Sequence, residues 1–132
     1  MKPSEEIQAY EIESTDDFDS EVERFFRKKK FRKLPAQIRK LTDDFKVGNF
    51  SGDLLTRHST PPPYEVYKKR LPNEDTQTST SGGYRVIYLV ATGNHVVGLL
   101  AIYYKKETEA LSDNYIQGLI DGFLLALLPD DE

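Results

Sequence analysis

Lys68 and Arg70 stand two residues apart in the run Tyr64-Glu-Val-Tyr-Lys-Lys-Arg-Leu-Pro72, and Arg85 stands in Ser81-Gly-Gly-Tyr-Arg-Val-Ile-Tyr88. Side chains alternate across a β-strand, so Lys68 and Arg70 share one face while Tyr67, Lys69 and Leu71 take the other. If the second run pairs with the first, Arg85 joins that face, and whichever of Lys105 and Lys106 points inward completes a cluster of cations. A guanidinium does not deprotonate in practice. It is therefore costly inside a sheet unless an anion, an ion-pair partner or a solvated groove receives it. An edge arginine in a structural ion pair satisfies that condition as well as a ligand site does. Crowded cations disfavour one another's protons, which lowers a lysine's pKa and leaves an amine able to accept one. Guanidiniums beside it are suited to a phosphoryl group. RNA supplies its own nucleophile, the ribose 2′-hydroxyl. Cutting it requires a base, an acid for the departing 5′-oxygen and positive charge for the transition state. That chemistry calls for no metal and no cofactor, and neither His58 nor His95 has metal-ligand spacing around it. Either histidine is read as a surface residue, or as one that touches RNA or acts as an acid.

The elements that must position these residues follow from periodicity. Ile7 to Glu13 reads as a first strand and residues 1–6 as disordered. Thr15, Asp16 and Asp17 are helix-capping types. Behind them Phe18, Val22, Phe25 and Phe26 recur at helical spacing to about Lys30. Pro35 fits the first turn of a second helix. Its stripe is Leu34, Ile38, Leu41 and Phe45, and Gly48 is its stop. Residues 47–63 read as loop and Tyr64 to Leu71 as a strand. Pro72 to Gly83 reads as a polar, mobile, structureless connection of 12 residues. Tyr84–Ala91 and His95–Tyr104 form a hairpin about Gly93-Asn94. Ile116, Leu119, Ile120, Phe123, Leu124 and Leu127 mark a last helix. The predicted fold is α+β: a small antiparallel sheet with an N-terminal helical hairpin and a C-terminal helix.

The formal charge of −4 conceals a segregated pattern. Residues 1–23 carry nine carboxylates and one lysine, a balance of −8. Residues 24–111 carry a balance of +9, and residues 112–132 one of −5. A basic body between acidic ends can attract phosphates. The run Arg27-Lys28-Lys29-Lys30 with Arg32 and Lys33 reads first as a solvated helix end. There is no cysteine, which excludes disulfides and thiolate metal sites. No stretch approaches the roughly 20 apolar residues that span a bilayer. The acidic start does not read as a secretory signal, so a cytoplasmic protein without membrane partners is expected. Six of the eight tyrosines (Tyr64, Tyr67, Tyr84, Tyr88, Tyr103 and Tyr104) fall on the predicted strands. They serve either for base stacking or for cross-strand packing. Tyr103 and Tyr104 point to opposite faces, so only one can line a groove with the cations.

The segments 64–72, 81–88 and Leu100-Ala-Ile-Tyr-Tyr-Lys-Lys-Glu107 resemble the RelE/ParE toxin superfamily, most of all its RelE- and HigB-type members. The resemblance extends over about residues 15–127, with its specificity in 64–107. With the charge pattern, which marks residues 1–14 as an acidic arm holding a possible first strand, it implies a single RelE-like toxin domain over 15–132. It also implies a toxin of a type II toxin–antitoxin pair that enters the ribosomal A site and cuts mRNA there as an endoribonuclease. Carried over position by position, Arg85 matches the family's phosphate-binding arginine. Lys68 and Arg70 match a basic pair that includes the base. Lys106 falls where RelE has an arginine that steadies the transition state. Lys69, Tyr84, Tyr104 and Lys105 are the candidate RNA contacts. The tyrosine that opens RelE's last helix falls near Ser112, with Tyr115 and Tyr104 as alternative donors. A cognate antitoxin, in a heterotetramer or larger complex, is the implied partner. A ParE-like gyrase inhibitor and an inactive corepressor are the competing readings.

Overall fold

The computed structural model describes residues 9–128. The first element is a short strand, β1 (Glu11–Ser14), which starts later than the expected Ile7; Ile7 and the expected disordered residues 1–6 lie outside the described residues. Helix α1 (Asp16–Arg27) begins where expected, because the Thr15 hydroxyl accepts the Phe18 amide at 3.0 Å and three acids occupy the first turn. Helix α2 (Leu34–Lys46) carries Pro35 in its first turn, and the chain leaves it through Gly48 at φ +81°. The two form the expected hairpin.

The loop predicted over 47–63 contains a two-residue strand, β2 (Asp53–Leu54). Strands β3 (Glu65–Leu71), β4 (Tyr84–Ala91) and β5 (Val96–Tyr104) follow, and then helix α3 (Asp113–Leu127). The predicted antiparallel meander of β3, β4 and β5 forms the centre of the sheet. Two short edge strands extend it to the order β1-β5-β4-β3-β2, and β1 runs parallel to β5. Acidic β1 is thus separated by β5 and β4 from β3, the strand that carries Lys68 and Arg70.

Alternation divides the sheet into two faces. Towards the helical hairpin, Tyr84, Val86, Tyr88 and Val90 of β4 pack with Phe18, Phe25, Phe31 and Phe45. Towards α3, Ile87, Leu89 and Ala91 pack with Ile116, Ile120 and Phe123. The β4–β5 register slips at Ile87/Tyr88: Ile87 pairs with Ala101 but Tyr88 with Leu99. Leu100 is the extra residue of a β-bulge, and both it and Ala101 belong to the α3-side core. Phe123 packs so closely on Gly98 that a Cβ there would lie 2.4 Å from its ring.

The connection 72–83, expected to be structureless, is ordered. Asn73 and Thr78 exchange two backbone hydrogen bonds of 2.9 Å. The fully buried Asn73 side chain accepts the amides of Asp75 and Thr76. A single 3₁₀ turn, Thr80–Gly82, leads into β4. Gly83 is required sterically, since a Cβ there would lie 2.1 Å from the Leu71 carbonyl oxygen. The polar composition of this segment satisfies its own backbone and does not solvate a free loop.

Candidate active-site groove

Strand pairing brings the predicted cations to one surface. Arg70 pairs with Arg85 across β3 and β4, Lys68 pairs with Ile87, and Arg85 pairs with Tyr103 across β4 and β5. Since Ile87 and Tyr103 belong to the α3-side core, Lys68, Arg70 and Arg85 all lie on that face. Helix α3 covers only part of it. The rest opens into a groove of about 220 Å³ between the sheet, the segment after β2 and the start of α3, with Lys68, Tyr103, Arg57, His58 and Asp113 in its lining.

The three cations differ in their surroundings. Lys68 is half-buried at the groove wall. Arg70 is exposed and reaches Asp53 only at 4.0 Å. Arg85 is 6 % exposed and has no carboxylate partner among the described residues. Its guanidinium donates to the carbonyls of Thr80 (2.8 Å), Tyr84 (3.2 Å) and Ser81 (3.0 Å). Neither an ion pair nor a free phosphate clamp describes it fully. The arginine staples the entrance loop of β4 to its own strand and keeps a positive charge beside Tyr103, without lining the groove itself. The three carbonyl dipoles satisfy part of its donor set without cancelling its charge.

Several other expected site residues lie elsewhere. Tyr84 and Tyr104 were the expected stacking platforms, but they sit in the core under the helical hairpin, at 0 % and 7 % exposure. Their rings pack edge-on or tilted against Phe25 and Phe31, and burial holds the Tyr84 phenol protonated, well above its ordinary pKa. Neither can meet a base. Lys69 also faces the hairpin side and donates to the Ser51 hydroxyl at 2.7 Å. Lys105 pairs with the carboxylate and carbonyl of Glu109. Lys106 is exposed in the turn after β5, its stem near Gly82, and does not line the groove. Tyr115 donates to Asp17 at the start of α1. His95, in the left-handed region at φ 55°, packs beside Tyr10.

Two groove residues settle alternatives that the sequence leaves open. Tyr103, and not Tyr104, faces the cations; burial raises its phenol pKa, and Arg85 opposes that rise. The bulge at Leu100 decides which of the two tyrosines faces inward, and nothing local in the sequence signals it. The His58 side chain is buried in the groove and not a surface one, 5 % exposed with Nε2 3.4 Å from the Asp113 carboxylate. The loop context of His58 disguised its burial. Among the described residues no cluster of His, Asp and Glu is arranged to hold a metal. No helix among them is long and apolar enough to cross a membrane.

No protein-family model matches the chain, and no curated protein matches it. Solved structures do. A mutant of the E. coli toxin RelE in its free state is 18 % identical with a TM-score of 0.46, covering 91 % of this chain and 99 % of its own. The isolated E. coli RelE toxin is 19 % identical with a TM-score of 0.45, over 91 % and 100 %. An archaeal RelE–RelB complex from Pyrococcus horikoshii OT3 is 15 % identical with a TM-score of 0.47, over 76 % and 99 %. The likeness is one of chain path, and what the groove does depends on its own side chains.

Proposed function

We propose that this chain is the toxin of a type II toxin–antitoxin pair and cuts mRNA on the ribosome. The observation that carries the reading is the gathering of Lys68, Arg70 and Arg85 on one sheet face, where Lys68 opens into a groove floored by Tyr103. A scissile phosphate seated there meets Arg70 at the rim and the buried charge of Arg85 beside Tyr103, and both stabilise the dianionic transition state. Lys68 accepts the proton of the 2′-hydroxyl as that oxygen attacks phosphorus. The bond to the 5′-oxygen breaks, leaving a 2′,3′-cyclic phosphate and a 5′-hydroxyl once a proton is delivered. Lys106, outside the groove, contributes charge to the RNA beyond the scissile linkage.

The antitoxin fits the far end of α3. Leu125 and Leu128 are 70 % and 62 % exposed there, an apolar surface that the described residues leave uncovered.

The test is induction of the wild type and of Lys68→Met, followed by primer extension on cellular mRNA. The wild type should cut within translated frames only. Lys68→Met should lose about 10²–10⁴ in cutting rate with an unchanged denaturation midpoint. Toxicity without mRNA cleavage, accompanied by inhibition of DNA supercoiling, would replace the nuclease reading with gyrase inhibition.

A further inference from the structure

The nuclease reading leaves one proton unassigned: the one the departing 5′-oxygen must receive. We infer that His58 donates it, a role that rests on that reading and deepens it. The imidazole is buried and lines the same groove as Lys68 and Tyr103. Both ring nitrogens are shut off from solvent and neither has a hydrogen-bond partner among the described residues. A buried polar ring left without partners is costly unless something completes it. Nothing about packing requires a histidine there, because an apolar side chain would fill the space without that cost.

The surroundings provide what a proton donor needs. Nε2 lies 3.4 Å from Asp113, near enough for attraction but outside hydrogen-bond geometry. Asp113 is in the first turn of α3 and is itself held by the Arg57 guanidinium. A carboxylate beside one imidazole nitrogen orients the ring, while the other nitrogen exchanges the proton. The remaining charged or titratable groups lining the groove are Lys68 from β3 and Tyr103 from β5. Tyr103 is the weaker donor, because burial moves its phenol away from neutral pH. Lys68 takes the proton from the 2′-oxygen; imidazolium His58 protonates the 5′-oxygen as its bond to phosphorus breaks, and is left neutral. Charge and protons balance without a further reactant. Asp113 is a positioning residue in this scheme.

A leaving group that needs no proton separates this role from a structural one. Wild type, His58→Gln and Asp113→Asn are assayed on programmed ribosomes with two mRNAs, one natural and one with bridging 5′-sulfur at the scissile linkage. On the natural message His58→Gln should cut about 10²–10⁴-fold more slowly than wild type, and Asp113→Asn should show a smaller loss. On the sulfur-bridged message both should return to within about tenfold of wild type, since a thiolate departs unprotonated. Lys68→Met should remain slow on both. Circular dichroism confirms that each variant is folded, and His58→Asn replaces His58→Gln if that variant is not. Equal cutting of the natural message by wild type and variant overturns the role of His58 alone. So does an equal loss on both messages. A wild type that cuts neither message overturns the nuclease reading, and the assignment with it.

Discussion

The two faces of one sheet are built differently. The face under the helical hairpin is aromatic and closed: Phe25, Phe31, Tyr84 and Tyr104 meet there, with ring centroids 5.3–6.4 Å apart. The face under α3 is aliphatic at one end and cationic at the other, where the helix leaves a groove. The same strands serve both, so a rigid aromatic layer backs a charged surface that could not stabilise itself. Like charges paired directly across strands, as Arg70 and Arg85 are, disfavour the sheet locally. The hydrophobic layer on the reverse side outweighs that repulsion.

Three substitutions break or sharpen this contrast. Phe25→Ala, in the closed layer at 0 % exposure, should have the largest effect, a loss of about 3–5 kcal/mol seen as a lower denaturant midpoint. Lesser damage there would mean that the layer is looser than it looks. Arg85→Lys, on the charged face, keeps the cation but loses the fork that holds three carbonyls. A cost of about 1–3 kcal/mol is expected, with cutting reduced as well. Unchanged stability would show that Arg85 serves the ligand alone.

The smallest effect belongs to the rim of the hairpin side, where Glu107 bridges Arg24 and Lys29. Those cations, Arg24 first, hold its carboxyl below the ordinary range. A depressed folded-state pKa contributes stability above the unfolded value, and that contribution vanishes as pH falls through the folded one. Glu107→Gln should therefore cost under about 1 kcal/mol at neutral pH. Urea titrations of wild type and variant should converge in acid.

Most of this architecture is legible in the chain. The stripes Phe18-Val22-Phe25 and Leu34-Leu41-Phe45 predict both hairpin helices, and alternation alone places Lys68 opposite Lys69. What escapes the sequence depends on distant partners. Tyr103 and Tyr104 exchange roles because of one extra residue in β5, which no turn signal marks. His58 is buried by α3, fifty-five positions further along, through Asp113. Two of the three carbonyls that receive Arg85, those of Thr80 and Ser81, lie in a segment whose polar residues imitate an unstructured linker.

Strand β5 has nine residues, all buried, with no charged side chain among Val96–Tyr104. Left bare along its outer edge, such a strand would be a template for self-association. Glu11–Ser14 shields one half with two glutamates. Beyond it, the Thr15 amide and hydroxyl take up the Leu99 and Leu100 carbonyls. Five residues, Glu11 to Thr15, thus cover that edge. A truncation reaching past Thr15 would first reveal itself as aggregation.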